Sequence, residues 1–117
     1  MEWIAVFLGG GLGSLVRYSI ARFFSPQQFS FAWATLTANL ISCIILGILI
    51  SVFTKSDSPA RLFWMVGFCG GFSTFSTFTA ETYAFLQDGE WLLVFSNIFG
   101  SILICLLGLV IGVRLAS

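Results

Sequence analysis

The chain has 117 residues, of which 58% are hydrophobic and only 9% are charged, and its mean hydropathy is +1.03. Because soluble domains carry about 25% charged residues, this composition excludes a water-facing surface and predicts an integral membrane protein. The five basic and five acidic side chains balance without a basic run, so no nucleic-acid partner is expected.

Four apolar segments are long enough to cross a hydrocarbon core of about 30 Å, which needs about 20 helical residues. They run from about Trp3 to Phe24, Phe29 to Phe53, Arg61 to Leu86 and Trp91 to Arg114. The connecting stretches SPQQ, TKSDSPA and QDGE are short, polar and typical of turns. We therefore predict an all-α membrane protein with a single transmembrane domain, residues 1–117, of four transmembrane helices.

Loop charge leaves the topology of these helices open. With four spans, both termini and the second loop share one face, whose basic residues are Lys55, Arg61 and Arg114. The other face carries Arg22, and Arg17 if it reaches that far, so the positive-inside bias is weak. Either the topology is fixed by other features, or the chain inserts in both orientations and opposite copies pair.

Small residues four positions apart occur in the first and last segments, as Gly9 with Gly13 and Gly108 with Gly112. This spacing lets helix backbones approach closely, and we interpret it as a signal for a homo-oligomer.

Among the polar residues of the first two segments, Arg17 and Asn39 are the candidates for a functional role. Arg17 lies about 20 Å along the helix from Trp3, so it either snorkels to the interface or provides a positive charge in a water-filled vestibule. Asn39 lies near the bilayer centre, where a side-chain amide must find partners. It either joins helices or lines a pore as a hydrogen-bond donor.

The third segment contains the run GFCGGFSTFSTF, in which Gly67, Gly70 and Gly71 each weaken a helix by about 1 kcal/mol relative to alanine. The run also holds four hydroxyl side chains, Ser73, Thr74, Ser76 and Thr77. Hydroxyls that bond backbone carbonyls bend helices, and unwound backbone is tolerated in a membrane only where it is buried in protein or lines water. We predict a helix broken near its centre, although close packing at the glycines is the alternative.

Phenylalanine recurs every third residue in this run, at Phe72, Phe75 and Phe78. Such a ridge is typical of packing, but phenylalanine ring edges carry positive partial charge and can face an anion.

Other intramembrane polar groups follow the third-segment run. Glu81 is the only acid well inside a segment, which suggests an ion pair with Arg17 or proton transport. Asn97 and Ser101 lie one helical turn apart on one face of the fourth segment.

The three cysteines, Cys43, Cys69 and Cys105, lie in apolar segments without CxxC spacing and without any histidine. The sequence therefore predicts neither a metal site nor a redox site on them, only small residues that face lipid or other helices.

The run GFCGGFSTFSTFTAET closely resembles the third-helix signature of the Fluc (CrcB-type) fluoride channels. The first-helix stretch GGGLGSLVRY and the second-helix stretch TLTANL also match the family pattern. The resemblance implies an antiparallel, dual-topology homodimer in the cell (inner) membrane, with two fluoride pores along the interface between the copies.

The resemblance also implies site residues. A structural Na⁺ would lie at the dimer centre on the backbone carbonyls of Gly70 and Ser73, and Arg17 would lie in the vestibule. The implied pore-lining residues are Asn39, Phe75, Ser76, Thr77, Phe78, Asn97 and Ser101. Ser73 stands where the family often has threonine. The fourth segment, which contains Asn97 and Ser101, matches the family pattern only loosely.

The function expected from this resemblance is passive, fluoride-selective export from the cytoplasm, which lowers fluoride toxicity. An enzyme is not expected, because the sequence offers no histidine and no nucleophile–base pair. The alternative is a small dual-topology multidrug or cation exporter, which would need an embedded carboxylate early in the chain. Here the first segment has only Glu2, at its end, and its embedded charge is Arg17, although Glu81 keeps this alternative open. A third reading is a membrane subunit that transports nothing.

Overall fold

The structure, a computed structural model, describes residues 1–24, 32–53 and 58–117. The SPQQ stretch, the predicted start of the second segment at Phe29 and the charge of Lys55 lie outside the described residues. Every regular element in the described part of the chain is helical, which confirms the all-α prediction there.

The described residues form five helical elements. The first two are α1 (Glu2–Phe24) and α2 (Trp33–Val52). The third, α3, is a continuous helical run over residues 59–72, made of Pro59–Arg61, the π-helical Leu62–Cys69 and Gly70–Phe72. The last two are α4 (Phe75–Gln87) and α5 (Trp91–Ala116), which includes a π-helical stretch at Ser96–Gly100.

Three of these helices, α1, α2 and α5, are long and apolar enough to cross a membrane among the described residues. The 13 residues of α4 extend for about 20 Å at 1.5 Å per residue. This length is short of the 30 Å hydrocarbon core, so α4 does not cross it alone.

Local capping explains where several helices begin and end. The Ser58 side chain accepts a hydrogen bond from the Arg61 N–H at the start of α3, and proline follows at the first helical position. At the end of α4, Gly89 adopts a left-handed φ of 71°, while its N–H bonds the Leu86 carbonyl and the Glu90 N–H bonds the Phe85 carbonyl. This pair of bonds is a Schellman motif, which forms the turn from α4 into α5.

Glycines bring the helices into two close pairs, α1 with α3 and α2 with α5. A Cβ at Gly13 would lie 2.8 Å from the Phe72 nitrogen, across the α1–α3 contact. A Cβ at Gly112 would overlap the Ile44 carbonyl and lie 3.0 Å from the Ile48 nitrogen, across the α2–α5 contact. The small-residue spacing is therefore used within one chain, which corrects its interpretation as a signal for a homo-oligomer.

A small core joins the two helix pairs. It consists of Ala38 from α2 with Phe68, Cys69 and Phe72 from α3, and residues of α1 and α2 pack around it. The buried Phe68 and Phe72 rings meet edge-on with centroids 5.4 Å apart. This core fixes the end of α3 against the middle of α2.

Candidate functional site

The candidate site forms where α3 ends and α4 begins. Ser73 has a ψ of 154° and Thr74 has φ and ψ of −148° and 124°, so both residues are extended. Helical structure resumes at Phe75, where the Thr74 side chain caps α4 by accepting a hydrogen bond from the Thr77 N–H at 3.2 Å. Two residues of extended backbone therefore separate α3 from α4.

Asn39 of α2 holds this extended segment. Its Oδ1 accepts a hydrogen bond from the Thr74 N–H at 3.0 Å, and its Nδ2 donates to the Thr74 carbonyl at 3.5 Å. One carboxamide thus pairs with both backbone groups of a single residue. Because an unpaired backbone group away from water is costly, this pairing stabilises the interruption.

A second set of bonds closes the end of α3. The Cys69 carbonyl accepts from the Ser73 N–H at 3.1 Å, from the Ser73 hydroxyl at 2.9 Å and from the Ser42 hydroxyl at 3.2 Å. Ser42 lies almost one turn beyond Asn39 on α2. Helix α2 therefore supports both the Cys69 carbonyl, near the end of α3, and the extended residue Thr74.

The carbonyls of Gly70 and Ser73 are among those that lose their helical donors at the interruption. In an uninterrupted helix the Thr74 N–H would bond the Gly70 carbonyl, but it donates to Asn39 instead. Likewise, the Thr77 N–H would bond the Ser73 carbonyl, but it donates to the Thr74 hydroxyl. Backbone oxygens are suitable ligands for a hard cation, so these two carbonyls have the chemistry that the Na⁺ prediction needs.

Arg17 of α1 reaches the same region. Its Nε donates to the Gly71 carbonyl at 3.2 Å, next to the end of α3. A positive charge is favourable there because the carbonyl end of a helix carries partial negative charge. Arg17 therefore lies at the interruption, and its remaining guanidinium N–H groups are further donors in the same part of the molecule.

A groove of about 260 Å³ lies beside the extended segment. Its walls come from α2, the extended segment, α4 and α5, and the lining residues are Asn39, Cys43, Ser73, Thr74, Phe75, Phe78, Ser101, Ile102 and Cys105. The groove is mostly apolar, with an amide and hydroxyl groups at intervals along it.

The phenylalanine ridge is divided by the interruption. Phe72, at the end of α3, is 2% exposed in the core, whereas Phe75, at the start of α4, is 79% exposed. Phe75 and Phe78 line the groove with ring centroids 5.7 Å apart and planes inclined by 35°. The expected three-residue ridge is therefore wrong, because extended backbone between Phe72 and Phe75 turns the later rings to another side.

The structure brings only some of the expected pore residues to this groove. Asn39, Phe75, Phe78 and Ser101 line it, whereas Ser76, Thr77 and Asn97 are absent from its lining. Ser76 and Thr77 lie close to the groove, because the hydroxyl of the lining residue Thr74 contacts the Ser76 hydroxyl at 3.1 Å and the Thr77 hydroxyl at 3.4 Å.

Asn97 is 1% exposed and serves as a junction between α4 and α5. Its Nδ2 donates to the Thr82 hydroxyl at 2.8 Å, and its Oδ1 accepts from the Ser101 hydroxyl at 3.4 Å. Thr82 was not predicted from the sequence, and neither was a site role for the groove residues Cys43 and Cys105. Helical spacing could have found both cysteines, since each lies four residues after a predicted pore residue.

Glu81 does not pair with Arg17. Its Oε2 accepts a hydrogen bond from the Thr35 hydroxyl of α2 at 2.9 Å, while Arg17 bonds the Gly71 carbonyl. Its Oε1 is buried without a hydrogen-bond partner among the described residues. The predicted possibility of an Arg17–Glu81 ion pair is therefore wrong for the chain in this structure.

Comparison with known proteins gives matches over nearly the whole chain. The family model described as CrcB-like protein, Camphor Resistance (CrcB), matches residues 4–113. A protein of Escherichia coli (strain K12) is 44% identical over 105 residues, 84% of this chain and 83% of that protein. A protein of Desulfotalea psychrophila is 42% identical over 96% of this chain and 89% of its own. One of Pyrococcus abyssi is 40% identical over 97% and 94%. All three are named fluoride-specific ion channel FluC.

Proposed function

Because the chain belongs to the CrcB family, we propose that it is a passive fluoride-selective channel in the cell membrane, which it crosses several times. The names of its relatives point to a channel and away from an enzyme, and they give no support to a cation exporter.

The groove is the observation that supports an anion path most directly. Asn39 offers it a carboxamide NH₂, which has one hydrogen for the Thr74 carbonyl and a second for an anion. The Ser101 hydroxyl is a further polar group in the lining. Phe75 and Phe78 offer ring edges with positive partial charge, which favour an anion over a cation. This combination replaces the water around a small anion with a few donors and a dry wall.

A second copy would complete the path. Phe75 is highly exposed although it lines the groove, and a Cβ built at the exposed Gly70 would meet no described atom within 4 Å. An aromatic wall open on one side suits a partner that covers it. We infer an antiparallel homodimer of dual topology, whose interface closes one groove from each copy into a pore, as the weak loop-charge bias permits.

The dimer would also supply the remaining ligands of the Na⁺. Each copy contributes the carbonyls of Gly70 and Ser73, whose helical donors are taken by Asn39 and Thr74. These carbonyl oxygens would coordinate a Na⁺, whose positive charge would hold the two copies together at the interruption. We therefore propose that the interruption divides a third transmembrane helix, made of α3 and α4, and that it serves as the Na⁺ site.

Arg17 would attract the anion toward the groove, and the hydroxyls beside the groove would bind it along the way. The Arg17 guanidinium at the end of α3 attracts anions toward the site, as expected for a vestibule. Ser76 and Thr77 extend the hydroxyl contacts of Thr74 along α4. With Asn97 and Ser101 on α5, they form the proposed polar route past the phenylalanines.

The direction of transport follows from acid–base chemistry and the membrane potential. Neutral hydrogen fluoride crosses lipid and ionises in the more alkaline cytoplasm, where the anion is trapped. A negative interior then drives fluoride out, because moving one charge across 100 mV is worth about 2.3 kcal/mol. A passive pore is sufficient for this export.

Efflux from liposomes tests the function. Purified protein is reconstituted into vesicles loaded with fluoride, and release is followed with a fluoride electrode after valinomycin clamps the potential with K⁺. We expect fluoride release that requires valinomycin, with chloride release at the rate of protein-free vesicles. Proton-coupled movement of organic cations without fluoride release would instead establish the exporter.

A further inference from the structure

Two cysteines from different helices meet on the wall of the groove. Cys43 of α2 and Cys105 of α5 are both free, both partly exposed and both part of the lining. Both side chains border the same groove, one from each of two closely packed helices. They face the same space as Phe75 and Phe78.

The close α2–α5 contact explains why these thiols meet. A Cβ at Gly108 would lie 2.7 Å from the Leu40 Cδ1 and 3.3 Å from the Ile44 Cγ1, so the helices approach closely beside the cysteines. Cys43 lies one residue before Ile44, and Cys105 lies three residues before Gly108. The thiol pair is therefore held by packed helices on both sides.

We propose that Cys43 and Cys105 form a binding site for a soft d¹⁰ cation of the Cu⁺, Ag⁺ or Hg²⁺ class. Thiolate sulfur selects such ions over hard cations, and two sulfurs on facing helices match their preference for two-coordinate binding. Each thiol exchanges its proton for a metal–sulfur bond, and the protons leave to water, so no electron is transferred. Neither CxxC spacing nor a histidine indicates this site in the sequence, because its two ligands come from separate helices.

Cys69 provides a matched control. It is 3% exposed, lies in the core, and directs its sulfur toward the Ser42 carbonyl at 3.8 Å. It is absent from the lining of the groove. A substitution at Cys69 therefore changes the number of thiols without changing the proposed site.

Binding is tested without any measurement of transport. Protein in chloride-free nitrate buffer is mixed with Ag⁺, passed through gel filtration and analysed for silver and protein content. We expect one retained silver ion per chain, its loss in Cys43→Ser and in Cys105→Ser, and its retention in Cys69→Ser. Equal silver content in all four proteins, or none in the wild type, overturns the site.

Thiol labelling keeps this test decisive if a variant fails to fold. Wild-type protein is treated with N-ethylmaleimide with and without Ag⁺, and the labelled cysteines are located by mass spectrometry. The site requires that Ag⁺ protect Cys43 and Cys105 together. Protection of only one of them, or of neither, overturns it.

The functional consequence rests on the proposed fluoride channel. A metal–dithiolate complex on Cys43 and Cys105 would narrow the groove opposite Phe75 and Phe78, and with Ag⁺ its net negative charge would repel an anion there. We expect Ag⁺ to reduce fluoride efflux to the rate of protein-free vesicles, and excess dithiothreitol to restore it. The block should disappear in Cys43→Ser and persist in Cys69→Ser.

Silver binding and fluoride efflux together distinguish a failure of the metal-site proposal from a failure of the channel proposal. If untreated protein releases no fluoride but still retains silver on the cysteine pair, the channel proposal fails and the metal site stands. If fluoride efflux is robust and silver binds the pair without slowing efflux, the groove does not lie in the conducting path. If efflux is blocked equally in Cys43→Ser, the block arises elsewhere and the proposed consequence is wrong.

Discussion

Replacing Asn39 by alanine tests how the interruption between α3 and α4 is held. The change removes the acceptor of the Thr74 N–H at 3.0 Å and the donor to the Thr74 carbonyl at 3.5 Å. Only the shorter bond has favourable length, so it dominates the expected effect. Without it, the Thr74 N–H either stays unpaired or turns back to the Gly70 carbonyl, which would extend α3 and close the interruption.

The expected cost is about 0.5–1.5 kcal/mol, the net contribution of a typical hydrogen bond, because the Thr74 N–H is only partly buried. Since 1.4 kcal/mol is a factor of ten, the folding equilibrium constant should fall about 2- to 12-fold. Fluoride efflux should fall as well, because the groove loses its carboxamide. If the Thr74 N–H turns back, the Gly70 carbonyl also regains its helical donor and is less available to a cation.

Stability is measured by denaturant unfolding in mixed micelles at fixed protein concentration, with fluorescence of the four tryptophans as the signal. Ser51→Ala is the matched control, because the Ser51 hydroxyl donates to the Val113 carbonyl at 3.0 Å away from the groove. It also removes one side-chain bond from α2 to backbone, in this case to α5, and should leave fluoride efflux unchanged.

Asn39→Asp separates the structural effect from the effect on the anion. A carboxylate keeps an acceptor for the Thr74 N–H, so stability should lie closer to the wild type than in Asn39→Ala. It also puts negative charge on the groove, so fluoride efflux should be lost through repulsion. Equal stability and equal efflux in Asn39→Ala and Ser51→Ala would refute this role of Asn39.

Three further outcomes are expected. Phe75→Ile and Phe78→Ile should each slow fluoride efflux while the elution volume in gel filtration stays unchanged; normal efflux in both would remove the ring-edge mechanism. Gly112→Ala should destabilise the protein by about 1–3 kcal/mol, because its Cβ would meet backbone, and Gly100→Ala, whose Cβ would meet no described atom within 4 Å, should not; equal stability in the unfolding assay contradicts the close α2–α5 contact. Replacing Na⁺ by a large organic cation throughout purification should lower the unfolding temperature or the efflux, and an unchanged protein that contains no Na⁺ by elemental analysis would contradict the proposed ion.

The protein class and the family could be predicted from sequence, because they depend on composition and on local runs of residues. A charged content of only 9%, beside 58% hydrophobic residues, excludes a water-facing surface whatever the fold. The glycine and hydroxyl residues of 67–78 favour unwound backbone through local propensity. The resemblance to the Fluc channels, read from three short stretches, is confirmed by the family model that covers residues 4–113.

Tertiary structure decided which backbone groups at the interruption keep a hydrogen-bond partner and which side chains face the groove. Asn39 and Thr74 are 35 residues apart, so no local pattern shows that one amide takes the donor of the Gly70 carbonyl. The fate of the phenylalanine ridge also depended on the interruption, since extended backbone sends Phe72 to the core and Phe75 to the groove. Helical propensity acts over a few residues, whereas hydrogen-bond partners, exposure and facing thiols are set by how distant helices pack.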